Sequence, residues 1–151
     1  MISEYMNRYL SGWAVSPAGL LYNIPIFIVF FIVMWELLIP IKWDRKVILK
    51  ISPYLAIWTF ILILLYFRVV QKSIPISGHI TSLTLMIGQG IMRKYPTWLM
   101  SLVIFVFFEA VYFNFWLFPS AKGGIYGLIT GSALAFILFI MNHRIEKYFE
   151  D

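Results

Sequence analysis

Cysteine is absent from the 151-residue chain. Disulfide staples and thiolate metal sites are thereby excluded, and the redox compartment leaves no mark on the sequence. Charge is scarce as well: Asp, Glu, Lys and Arg make up 13% of the residues, against about 25% in soluble domains. The basic residues are scattered rather than gathered into runs, which argues against a nucleic-acid surface. The net charge of +5 is what cytoplasmic loops facing anionic lipid produce. There is no Gly-rich nucleotide loop, nucleophile elbow or metalloprotease helix. The polar N-terminus, with Glu4, does not read as a cleaved signal.

What is present is apolar. Hydrophobic residues make up 62% of the chain and aromatics 19%. A water-soluble fold of this length has too little interior to hide that surface, whereas bilayer hydrocarbon accommodates it. The fold class is therefore all-α: a polytopic membrane protein built as a bundle of about five transmembrane helices, with the lipid bilayer as its first partner. A helix needs about 20 largely uncharged residues to cross ~30 Å of hydrocarbon. Such stretches are predicted at Leu20–Ile41, Ile51–Phe67, His79–Met92, Pro96–Phe118 and Gly123–Asn142, the third being shorter and more polar than the rest. The bundle thus occupies residues 20–142, and residues 143–151 form a tail.

Residues 1–19 read as a separate piece. Ile2, Tyr5, Met6, Tyr9 and Trp13 recur at helical spacing and suit the apolar side of a short interfacial helix, with a frayed terminus as the alternative. Ser16-Pro17 and Gly19 are expected to break it before the first span. Orientation follows from Lys and Arg. Lys42, Arg45, Lys46, Lys50, Arg93, Lys94, Arg144 and Lys147 fall on one side, and Arg8, Arg68, Lys72 and Lys122 on the other. That bias places the C-terminus in the cytoplasm and the N-terminus outside the cell membrane.

Helix five carries small residues at spacings of three and four: Gly123, Gly124, Gly127, Gly131 and Ala135. Close backbone approach there is expected to pack the helix inside its own bundle, with homodimerisation the lesser alternative.

Few residues have chemistry to offer. His79 opens the third span, with Arg68 and Lys72 just upstream and Ser77 and Gly78 immediately before it. A helix start presents unpaired N–H groups and a positive dipole end, so these five residues form a candidate anion site for a lipid phosphate. A Ser77 cap beside an interfacial histidine explains the same residues structurally. Glu109 lies inside the fourth span, where an ionised carboxylate is costly. It is expected to face the bundle and find a partner, Thr84 or Gln89, or to stay protonated. Glu36 is expected near the cytoplasmic interface, pairing with Lys42 or Arg45. Glu36, His79 and Glu109 do not make a metal set, and no metal or cofactor is expected.

The segment Ile76-Ser77-Gly78-His79 resembles the second signature of the type 2 phosphatidic acid phosphatase family, Pro-Ser-Gly-His. The resemblance covers roughly residues 55–142. It implies a membrane helical bundle with a site at the outer face, and it assigns His79 the role of protonating the leaving group. The family's third signature is Ser-Arg, five residues, His, three residues, Asp, then glycines. With its glycines laid on Gly127 and Gly131, its Ser-Arg falls on Tyr112-Phe113, its nucleophilic histidine on Pro119 and its aspartate on Gly123. The first signature, with its Arg-Pro pair, is absent. A reaction through a phosphohistidine needs a nucleophile and cations on the developing charge. One general acid contributes only about 10²–10⁴-fold. The expectation is thus a non-catalytic membrane protein, an accessory or structural subunit of a larger membrane complex, with other membrane subunits as partners. The alternative is a phosphatase-like enzyme or a binder of lipid phosphate. A transporter component using Glu109 is a third.

Overall fold

The computed structural model describes residues 17–39, 44–71, 76–117 and 121–150. Among these residues five helices follow one another: α1 Pro17–Leu38, α2 Arg45–Gln71, α3 Gly78–Arg93, α4 Thr97–Tyr112 and α5 Ala121–Glu150. A π-helical turn, Phe113–Leu117, extends α4. Among the described residues there is no strand. Among the described residues, four helices are long and apolar enough to cross a membrane, over Leu20–Leu38, Arg45–Arg68, Thr97–Trp116 and Gly123–Glu150. The chain is an all-α polytopic membrane protein.

The ends of the helices differ from the sequence expectation for local reasons. The proposed interfacial helix lies outside the described residues up to Ser16. Pro17, expected to break structure, instead starts α1, because a proline at the first helical position lacks only an N–H that the helix leaves unpaired anyway. The helix stops at Leu38 rather than Ile41, ahead of Pro40, whose ring disfavours helical backbone in the residue before it. α2 starts at Arg45 rather than Ile51, because Asp44 caps it: Val47 N–H donates to Asp44 Oδ1 at 2.8 Å. α5 continues to Glu150 through the predicted tail, where Asn142 Nδ2 donates to Glu146 Oε1 at 3.3 Å one turn on.

Pro53 lies buried inside α2. It has no N–H to offer the carbonyl of Leu49. Ser52 Oγ donates to that carbonyl at 2.8 Å instead, and so repairs the helix.

The third helix departs most from expectation. Its 16 residues rise about 24 Å, short of the ~30 Å of hydrocarbon. It is not among the candidate spans. Apart from Ile91 near its end, its apolar side chains are largely consumed by its neighbours, and Ile80, Leu83, Leu85 and Met86 are fully buried. α3 packs most extensively on α5 and next on α4. It is the axis of the bundle, and the long helices shield its polar residues from lipid.

Contacts at the two ends show that the helices alternate in direction. At one end, Ser77 N–H donates to Gly123 O at 2.9 Å, and Asn114 Nδ2 to the Tyr22 hydroxyl at 2.9 Å. At the other, Arg93 meets Glu36, the Tyr54 hydroxyl donates to Asn142 Oδ1 at 3.3 Å, and the Lys46 and Lys50 ammoniums lie 5.5 and 5.7 Å from the Phe149 ring centre. The start of α1 and the end of α5 are thus at opposite ends of the bundle.

Candidate functional site

Ser77 builds the first end. Its backbone is extended, and its Oγ accepts from Ile80 N–H at 3.3 Å, capping α3. Its carbonyl accepts from the Thr81 hydroxyl at 2.7 Å. The chain can approach α5 this closely because α5 is bare there. A Cβ on Gly127 would stand 3.1 Å from Ser77 O and 3.2 Å from Thr81 Oγ1. A Cβ on Gly131 would stand 2.8 Å from Thr81 O, closer than backbone tolerates. Gly124 faces the Phe115 ring and Ile80. The small-residue face of α5 therefore packs on α3 within the chain.

Next to this cap, the His79 imidazole stacks on the Tyr22 ring with centroids 3.8 Å apart and planes 10° apart. It also hydrogen-bonds to the backbone of Tyr22. Its Nε2 is buried and has no hydrogen-bond partner among the described residues. Tyr22 is fixed in turn by Phe113, at 5.0 Å between ring centroids, and by Asn114. The π-helical turn makes this possible. Its wider winding swings Asn114 inward, where Nδ2 also donates to Ala110 O at 2.8 Å. Arg68 completes the group: its Nη1 lies 3.6 Å from where a Cβ on Gly78 would sit. Of the five residues proposed for an anion site, Arg68, Ser77, Gly78 and His79 come together. Lys72 lies outside the described residues.

The second end carries a separate polar network. Arg93 grips Glu36 with two nitrogens, Nε at 2.9 Å from Oε2 and Nη2 at 2.9 Å from Oε1. Its guanidinium also lies 5.2 Å over the Tyr54 ring. The expected partners of Glu36 do not hold it: Arg45 is exposed beside the Asp44 cap, and Lys42 lies outside the described residues. Deeper in, the fully buried Gln89 accepts from Trp58 Nε1 and donates to the Tyr95 hydroxyl, both at 2.7 Å. Burial raises the Tyr95 phenol above its usual range. A pocket of about 270 Å³ opens at this end, lined by Met92, Lys94, Phe139, Asn142, His143 and Glu146.

Glu109 does not join the bundle interior. The expected partners are occupied elsewhere: the Thr84 hydroxyl donates to Ile80 O at 2.7 Å, and Gln89 bridges Trp58 and Tyr95. Thr84 itself is only half-buried. Glu109 is half-exposed at the edge of the face that α4 buries, and it makes no hydrogen bond or ion pair with another described residue. Among the described residues, no three His, Cys, Asp or Glu side chains gather as a metal site would require.

Sequence reasoning missed Tyr22, Asn114, Trp58, Tyr95 and the Glu36–Arg93 pair. The pair left one signal, since both residues were predicted on the same side of the membrane. Comparison with protein-family models, curated proteins and solved structures finds no match to this chain.

Proposed function

We propose that this chain is a non-catalytic subunit of a larger membrane complex, set in the cell membrane with its N-terminus outside and its C-terminus in the cytoplasm. The observation that carries this reading is the closure of the interior polar groups on one another, with His79 Nε2 the exception. Gln89 joins Trp58 and Tyr95, Arg93 joins Glu36, and Thr81 and Thr84 return their hydroxyls to their own helix. His79 is clamped by Tyr22. What the chain presents outward is apolar and aromatic, since only 28–33% of each candidate span is buried within it. Such a surface suits packing against other transmembrane helices. The Lys and Arg bias supports the orientation. Affinity purification of the tagged chain after mild extraction tests the reading. Partners in fixed stoichiometry, unchanged by His79→Ala, are the expected result.

The convergence of Arg68, Ser77, Gly78 and His79 favours a second reading, a binder of lipid phosphate at the outer face. A cation beside a helix N-terminus attracts such a group. Vesicles containing phosphatidic acid test it: binding lost in both Arg68→Ala and His79→Ala supports it, and equal binding by all three proteins removes it.

A further inference from the structure

The lone carboxylate of α4 identifies where a partner sits. Glu109 lies about 18 Å along the helix from Thr97 and about 10 Å from Trp116, well inside the hydrocarbon. Two turns separate it from the nearer interface, too far for its short side chain to reach water. The residues one turn away on either side, Phe105 and Tyr112, are exposed, as is Phe108 beside it. The carboxylate therefore opens onto a surface of aromatic rings, and no described residue neutralises it. Ionisable groups in a bilayer pair with one another or face a polar cavity, because an isolated charge there is costly. We propose that the α4 face formed by Phe105, Phe108, Glu109 and Tyr112 docks a transmembrane helix of another subunit, and that a lysine or arginine of that helix pairs with Glu109. This rests on the subunit reading above and names the surface and partner chemistry it uses.

Charge complementarity selects this occupant over the others. A lipid tail leaves the carboxylate unpaired. A second copy of the chain brings a like carboxylate to the same place, which is repulsive unless one is protonated. A basic residue on a neighbouring helix satisfies the charge, and the exposed rings add cation–π and packing contacts around it.

The test places a photo-crosslinking phenylalanine at Phe105 in the full chain, in its native membrane, with the same probe at the exposed Phe60 of α2 as control. The expected result is a crosslink from Phe105, and not from Phe60, to one other polypeptide. The captured peptide holds a Lys or Arg inside an apolar stretch. Yield falls about threefold to tenfold in Glu109→Gln, the scale of one interhelical polar contact. It is restored when Glu109→Lys is combined with Lys or Arg→Glu in the partner. Glu109→Gln is isosteric, and an unchanged monomer peak after full solubilisation shows that the bundle is intact. A Phe105 crosslink only to lipid, to the same chain or to a second copy overturns the proposal, as does a captured segment without Lys or Arg. If a defined complex is recovered while Phe105 captures nothing, this surface is wrong and the subunit reading stands. If no complex is recovered, both fall.

Discussion

Arg93, the last residue of α3, meets Glu36, near the end of α1, in a two-pronged salt bridge, with Nε 2.9 Å from one carboxylate oxygen and Nη2 2.9 Å from the other. It ties the central helix to the first span, and the pair is only partly exposed, so bulk water does not replace the lost partner. Removing either side leaves a charge at the edge of the hydrocarbon. Glu36→Gln or Arg93→Gln is expected to destabilise the bundle by about 1–3 kcal/mol, a fall of roughly 3–10 °C in Tm for a chain of this size. Thermal unfolding in mild detergent measures it. Exchange of the two charges, Glu36→Arg with Arg93→Glu, restores part of the loss, whereas a purely additive pair of losses contradicts the bridge.

Gln89 answers to a different physics. It is fully buried and satisfies Trp58 and Tyr95 at once. Gln89→Leu keeps the volume but orphans an indole N–H and a phenol, a cost of about 2–4 kcal/mol. Adding Tyr95→Phe removes the orphaned phenol without opening a cavity and recovers part of it. A double variant melting no higher than Gln89→Leu alone contradicts this assignment.

At the α3–α5 contact the order of two glycines is predicted. Gly131→Ala forces a methyl against the backbone oxygen of Thr81, which cannot turn away, and costs about 1–3 kcal/mol. Gly127→Ala meets its neighbours at 3.1 Å or more and costs less. The readout is monomer stability. A change in oligomeric state without a change in stability points to a role between chains instead.

Lys94 ends α3 in the left-handed conformation, at φ 54°. Glycine adopts this backbone freely, while a β-branched residue is strained there by about 1–2 kcal/mol. Lys94→Gly is expected to hold or raise Tm by a few degrees and Lys94→Val to lower it. The reverse order contradicts the backbone geometry.

The helices and their order were legible because hydrocarbon thickness imposes a length, which Gly123–Asn142 meets without charge and Leu20–Leu38 with Glu36 alone, near its end. The packing face of α5 was legible because Gly127 and Gly131 are one turn apart. Ser77 was legible as a cap from its place before His79. The rotation of each helix was not. α4 is apolar nearly all round, so little marks which of its sides turns inward, and Glu109 was assigned to the interior by its cost alone. The Tyr22–His79 stack and the Glu36–Arg93 bridge join residues far apart in the chain, and both depend on those rotations. The π-helical turn that brings Asn114 to Tyr22 has no marker in Phe113–Leu117. The central place of α3 showed only as a shorter, more polar stretch.

The native mass of the protein, taken after gentle extraction from its own membrane, decides whether the chain is a subunit of a larger complex. A subunit runs in an assembly heavier than any small multiple of the 17.7 kDa chain, with one or more other membrane polypeptides in fixed ratio. A single species of one or two copies of this chain, with no other polypeptide, contradicts the subunit reading.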